Sequence, residues 1–388
     1  MLTTLAIANY RSLRELMVPL RQLNIITGAN GSGKSSVYRA LRLLADTAQG
    51  GVVSSLAREG GLESTLWAGP ESFSRAVKSG EHPVQALVRK HPFNLKLGFA
   101  GADFGYAIDL GLPLPGNAVF SFDPAIKREC IWSGPVLRPA AMLVDRRNAL
   151  VSCRRDNGDW EVVAKDLPGF ESMMTHVTDP RNAPEVARLR ERIRGWRFYD
   201  HFRSDSGAPA RLPQIGTYTP VLANDGADLA AAIQTIHAIG DAAALNAAVN
   251  DAFPGARIRP CCHELGRVEI EMQQHGLLRP LKAAELSDGT LRYLLWIAAL
   301  HTPRPPELLV LNEPETSLHP DLLPPLARLI AQAATRSQVL VVSHATRLIA
   351  ALERSADSHS IMLEKTLGET TIAGQHPLDK PAWRWPAR

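Results

Sequence analysis

The chain has 388 residues, 45% of them hydrophobic, enough to bury a large core, which excludes an intrinsically disordered chain and a mini-fold held only by cross-links. Its 43 Lys and Arg against 39 Asp and Glu leave a formal charge of +4, an excess that permits nucleic-acid contact without demanding it. No apolar run reaches the ~20 residues that span a bilayer; the longest candidate, Leu291–Leu300, contains Arg292, so a soluble, cytoplasmic protein without membrane contact is expected.

Leu2–Ala8 and Leu23–Thr27 read as strands, the second leading into a glycine-rich turn, and Val37–Ala45 continues with apolar positions at helical spacing. The pattern breaks down from Gly50 to about Gly69. Leu95–Leu97, Phe104–Leu110, Ala118–Phe122, Glu129–Trp132, Ala140–Asp145, Ala149–Arg154 and Trp160–Ala164 then form a succession of short strands, an antiparallel meander. A helical segment is predicted between Pro184 and Phe202, and two alanine-rich helices over Asp228–Ile239 and Asp241–Phe253. Arg267–Met272 alternates like a strand. Leu286–Ala299 and Leu322–Ala334 read as helices, Leu308–Leu311 and Val339–Val342 as apolar strands, and the proline-bearing C-terminus trails off. The N-terminal strand and loop and the C-terminal α/β stretch are expected to share one sheet.

Gly28-Ala29-Asn30-Gly31-Ser32-Gly33-Lys34-Ser35 fits G-x-x-x-x-G-K-[ST] without a gap and is followed by Ser36. Glycines allow successive N–H groups to converge on phosphate oxygens, and the helix behind presents its unsatisfied N-terminus to the same charge. ATP is the expected ligand, with Lys34 on the β and γ phosphates and Ser35 on Mg2+. Leu308-Leu309-Val310-Leu311-Asn312-Glu313 adds an apolar strand ending in polar groups. Glu313 is placed to orient and deprotonate water. Asn312 stands on the magnesium side, where its neutral oxygen adds no charge against the cation. His344 follows the next apolar strand directly, where it can sense the γ phosphate.

Together these residues resemble the ABC-type ATPases of the RecF, SMC and OLD group and bacterial AAA-type ATPases. Gly28–Ser35 matches their Walker A motif, Leu308–Glu313 Walker B, and His344 the switch histidine. Leu286-Ser287-Asp288-Gly289-Thr290 matches the signature loop, Ser317-Leu318-His319-Pro320 the D-loop, and Asn9-Tyr10-Arg11-Ser12-Leu13 the opening strand and loop. The resemblance implies an α/β fold, an ABC-type P-loop NTPase head with a β-rich and helical inserted lobe. It also implies a homodimer around two ATP molecules, in which Ser287 and Gly289 cap the γ phosphate bound by the partner. On this reading 1–50 and 266–375 are the two parts of the ATPase domain, 51–180 its β-rich part, 181–265 a helical lobe and 376–388 a tail. Asn312 replaces the family aspartate and Asp288 a common glycine; the family's glutamine loop falls at neither Gln85 nor Gln214 decisively. Neither a long coiled-coil arm nor a nuclease domain is expected.

Two outputs follow. Arg188–Arg203, with Arg190, Arg194 and Arg197 interleaved with Trp196, Phe198 and Tyr199, could track a DNA backbone while the aromatics stack on bases. A regulatory ATPase acting on a protein partner is the alternative, motivated by Asn312 and the missing nuclease tail. Cys130, Cys153, Cys261 and Cys262 match no tetrahedral spacing, so thiols are expected in place of a metal site.

Overall fold

The structure is a computed structural model describing residues 1–71, 93–113, 120–355 and 357–387. Gln85 and residues 118–119 lie outside these ranges, and the rest of the strand expected over Ala118–Phe122 is a turn. The chain divides into two compact units: Met1–Arg21 with Thr27–Gly195 and Ile361–Arg388, and Gln22–Ile26 with Trp196–Ser360.

The first unit opens with β1 (Leu2–Tyr10) and β2 (Leu13–Pro19); β3 (Leu23–Gly28) begins in the second unit and runs back into the first at Thr27. The meander follows as β4 (Leu95–Gly101), β5 (Phe104–Gly111), β6 (Ala125–Ser133), β7 (Met142–Arg147), β8 (Leu150–Arg154) and β9 (Trp160–Ala164). They form an eight-stranded sheet in the order β2-β1-β4-β5-β6-β7-β8-β9, antiparallel throughout. The strand β2 was not legible because Arg14 and Glu15 interrupt its alternation; Arg14 pairs with Glu369 at 3.2 Å. Val52–Arg58 and Leu62–Thr65, where no pattern was read, are short helices that bury Val52, Leu56 and Leu62.

Two buried groups anchor segments onto this sheet. Glu129 and Arg146 form an ion pair at 3.1 Å with both side chains fully buried. Tyr106 and Ser172 hydroxyls and the Met173 N–H donate to Glu129, while Arg146 donates to the Asn148, Pro168 and Glu171 carbonyls. Such a pair is tolerated inside because its remaining polar sites are also satisfied. The C-terminal segment packs: Trp383 meets the buried Trp132 edge-on at 5.5 Å, and Trp385 meets Trp383 edge-on at 5.2 Å.

The second unit carries β10 (Arg197–Tyr199), β11 (Gln214–Ile215), β12 (Arg257–Cys262), β13 (Arg267–Gln273), β14 (Leu281–Lys282), β15 (Leu308–Asn312) and β16 (Gln338–Val342). β10, β15, β16 and the opening residues of β3 pair in parallel in that order. The N-terminal strand therefore does lie in the sheet of the C-terminal strands. Fully apolar runs such as Val339–Val342 suit a sheet buried on both faces. β11, β13 and β12, with β14 on β13, form a separate antiparallel sheet. Helices Leu229–Ile239, Ala242–Ala252, Asp288–Leu300 and Leu323–Ala334 contribute to one core with Tyr199, Phe202 and Trp296. The chain then passes through β17 (Ser358–Thr366) to β18 (Glu369–Ile372), paired as a hairpin.

The helix expected over Pro184–Phe202 ends at Arg194, and Arg197–Tyr199 is a strand. The three-residue run is too short for periodicity to separate from a helix end, and parallel pairing with Leu309–Leu311 decides it.

A Cβ added at Gly105 would lie 2.0 Å from the Trp132 ring, a contact no rotamer relieves because the indole is buried. Gly105→Val is expected to cost about 3 kcal/mol, the upper end of overpacking penalties. Urea unfolding checks this; an unchanged midpoint would contradict it.

Candidate functional site

The phosphate-type loop begins where β3 ends. Gly28 and Gly33 have φ of 142° and 105°, and added Cβ atoms would lie 2.3 Å from the Leu363 carbonyl oxygen and 2.5 Å from Thr370 Oγ1. Both need glycine for conformation and for space. Thr370 Oγ1 donates to the Ser32 carbonyl at 2.8 Å and lies 2.8 Å from Ser12 Oγ, so β18 braces the loop. Ala29, Asn30 and Gly31 form the exposed tip. Lys34 opens the helix Lys34–Thr47; it is buried and its ammonium donates to the Gly28 and Ala29 carbonyls at 2.7 and 3.0 Å. Ser35 is exposed, Ser36 half-buried, and Ser32 Oγ buried without a hydrogen-bond partner. The Ser36 and Val37 N–H groups bond to Gly33, leaving earlier first-turn donors for an anion.

In the second unit Asn312, Glu313 and His344 stand at the carboxyl ends of the adjacent parallel strands β15 and β16. Glu313 has φ of 48°, and its N–H donates to the Val342 carbonyl at 2.8 Å, which turns its side chain out of the strand run. His344 Nδ1 lies 3.8 Å from Glu313 Oε1 and 3.5 Å from Glu315 Oε1. Glu315 was not singled out from sequence. Its Oε1 accepts from Ser343 Oγ at 2.7 Å, His344 N at 3.0 Å and Ala345 N at 3.2 Å, so one buried carboxylate ties the loop after β15 to the loop after β16. The signal available was a second glutamate two residues after Glu313. Asp200, also missed, follows β10 and accepts a 2.7 Å bond from Asn312 Nδ2.

The signature-like segment sits in the same unit. Ser287 is exposed and caps its own helix, accepting from Thr290 N at 3.2 Å. Asp288, the departure from the family glycine, pairs with the buried Arg211 at 2.6 Å; Arg211 also donates to the carbonyls of Ser204, Ala283 and Leu286. A Cβ at Gly289 would come within 3.3 Å of the Ser317 carbonyl, and Arg292 donates to the Thr316 carbonyl, so this helix start is held against the segment after Glu313. Gln214 is committed to backbone, donating to the Pro209 and Ala227 carbonyls and accepting from Ala230 N.

Two family models match the chain: one described as "AAA domain, putative AbiEii toxin, Type IV TA system" over residues 171–350, the other as "AAA ATPase domain" over residues 1–83. These stretches resemble AAA-type ATPase domains, and the fold is that of an ABC/SMC-type NTPase head with an inserted β-rich and helical lobe. An SMC head bound to the C-winged helix domain of ScpA matches at 13% identity and TM-score 0.52, covering 96% of this chain and 97% of that one. An SMC head with an extended coiled coil from Pyrococcus furiosus, bound to the C-terminal domain of ScpA, matches at 11% identity and TM-score 0.50, with 96% and 95% covered. At such identities the likeness is one of fold. No curated protein sequence matches.

The base stacking expected of the aromatics beside Arg190, Arg194 and Arg197 is corrected. Trp196, Phe198 and Tyr199 are 3%, 4% and 0% exposed and serve the core, so they offer no faces for base stacking. Arg190 and Arg194 lie on the helix Pro184–Arg194 and reach Glu191 at 3.4 and 3.3 Å; Arg197 lies on β10. Cys261 and Cys262 alternate along β12, and His263 turns to Glu269 at 2.7 Å. Among the described residues no three His, Cys, Asp or Glu side chains converge as a metal cage, and no helix is long and apolar enough to cross a membrane. Magnesium does not need such a cage, since it keeps waters and phosphate oxygens. Asn312 Oδ1, buried without a hydrogen-bond partner, and the adjacent Asp200 carboxylate are hard oxygen donors that fit it.

Removing the Glu315 carboxylate orphans the Ser343 O–H and the His344 N–H and leaves the Ala345 N–H only its bond to Ser343 Oγ. Glu315→Ala is expected to destabilise the protein by about 3 kcal/mol, with Glu315→Gln costing less because it keeps one acceptor. Denaturant unfolding of both variants measures this, and equal small losses would remove Glu315 from its tying role.

Proposed function

We propose that the chain binds ATP with magnesium and hydrolyses it, forming a homodimer around two ATP molecules and acting on DNA or a DNA-bound complex. The carrying observation is the pair Glu313 and His344, 3.8 Å apart at neighbouring strand ends, in the sheet whose β3 opens directly into Gly28–Ser36. In this reading the Gly28–Ser36 amides and Lys34 hold the phosphates, and Ser35 and Asn312 face the magnesium ion. Glu313 orients the attacking water and takes its proton, and His344, whose Nδ1 lies near the Glu313 and Glu315 carboxylates, contacts the γ phosphate. Magnesium, when bound, neutralises charge developing between the β and γ phosphates. Ser287 and Gly289 would cap the nucleotide of a second copy, a position favoured by the exposed hydroxyl and the helix start.

A second reading, control of a protein partner without direct DNA contact, is favoured by the burial of Trp196, Phe198 and Tyr199 and by the pairing of Arg190 and Arg194 with Glu191. The SMC heads of similar fold were solved bound to domains of a protein partner. DNA binding followed by fluorescence anisotropy at low salt, with ATP and magnesium, separates the readings. Salt-sensitive binding supports the first, and none at all supports the second.

Glu313→Gln is expected to lower ATP turnover by about 10²–10⁴-fold while ATP-dependent dimers persist or accumulate. Turnover measured beside oligomeric mass tests this. Turnover retained in the variant would defeat the assignment of Glu313.

A further inference from the structure

We infer that Asp200 supplies the negative charge that Asn312 lacks, so that the acid on the magnesium side of this ATPase stands one strand over from its usual place. The inference rests on the ATP reading above and names a metal-side residue beyond it.

The placement comes from strand register. β10 pairs with β15 so that Tyr199 faces Leu311, which sets residue 200 beside residue 312 at the carboxyl edge of the sheet. There Asn312 Nδ2 donates to Asp200 Oδ1 at 2.7 Å. An amide has one donor end and one acceptor end, so this bond fixes which way the side chain faces. Its Oδ1 is buried and has no hydrogen-bond partner, an arrangement that costs free energy unless a cation or donor meets it. Asp200 is exposed, and its second carboxylate oxygen takes no other hydrogen bond among the described residues. The pair thus presents one neutral oxygen and one carboxylate, where an aspartate at 312 would present both functions in one residue.

A purely structural pairing would use the Asp200 side chain as an acceptor only. Asp200→Asn keeps an acceptor oxygen for Asn312 and removes the charge, so it separates the two roles. The double variant Asp200→Asn with Asn312→Asp returns one carboxylate to the pair on the other strand and keeps an amide opposite it.

The test is a Mn2+ titration of the full chain with a non-hydrolysable ATP analogue, bound Mn2+ being read by electron paramagnetic resonance. Affinity for the analogue without metal is measured in parallel. Asp200→Asn is expected to weaken Mn2+ binding about tenfold or more, a modest share of what a unit charge at close range is worth, while metal-free affinity stays within about twofold. The double variant is expected to recover Mn2+ affinity to within about threefold of the parent. Unchanged Mn2+ binding in Asp200→Asn, or a double variant no better than the single one, overturns the inference and leaves the ATP reading standing. A parent chain that binds no analogue, with or without Mn2+, overturns both.

Discussion

Leu23–Ile26, from the start of the chain, hydrogen-bonds as a parallel strand against Val339–Val342, from near its end. The strand end that carries His344 depends on that ladder. Parallel partners cannot be joined by a tight turn, and here the connection between them runs through most of the protein. One consequence is geometric: the Ser343 N–H donates to the Ile26 carbonyl, so the backbone just before His344 is bonded to the backbone just before the glycine loop. Another is kinetic. A pairing between residues this distant in sequence pays a large loop-closure cost before it is rewarded, which places the completed sheet late in folding.

On that frame, short polar bridges between loops set the chemistry. Glu315 spans the loops after β15 and β16, Asp200 and Asn312 span the ends of β10 and β15, and Arg211 holds Asp288 together with the Ala283 and Leu286 carbonyls just before the helix start. Each bridge joins a residue of a recognised motif to one outside it. In a low-dielectric setting, satisfied networks of this kind rigidify the groups they hold, whereas the Asn312 side chain keeps one buried oxygen without a partner.

The first unit uses the same currency for a different end. Its buried Glu129–Arg146 pair binds the 168–173 segment to the sheet, and its tryptophans bind the C-terminal segment. Two of the three arginines put forward for DNA contact, Arg190 and Arg194, share one exposed acidic neighbour in this unit, Glu191, a surface arrangement worth little in stability.

The sequence alone determined the glycine loop, the two apolar parallel strands, the polar residues at their ends and the antiparallel meander. These are local signals: glycine where the backbone needs it, apolar runs where both sheet faces are buried, alternation where one is. From them the ABC-type head could be named. Only the tertiary structure decided that Arg197–Tyr199 is a strand, that Trp383 packs against Trp132, and that Asp200, Arg211 and Glu315 bond to Asn312, Asp288 and the His344 backbone. Asp200 and Asn312 are 112 residues apart, and nothing in the neighbours of either announces the other. A hydrogen bond between strand ends exists only once register has placed them side by side, and register is a property of the folded sheet.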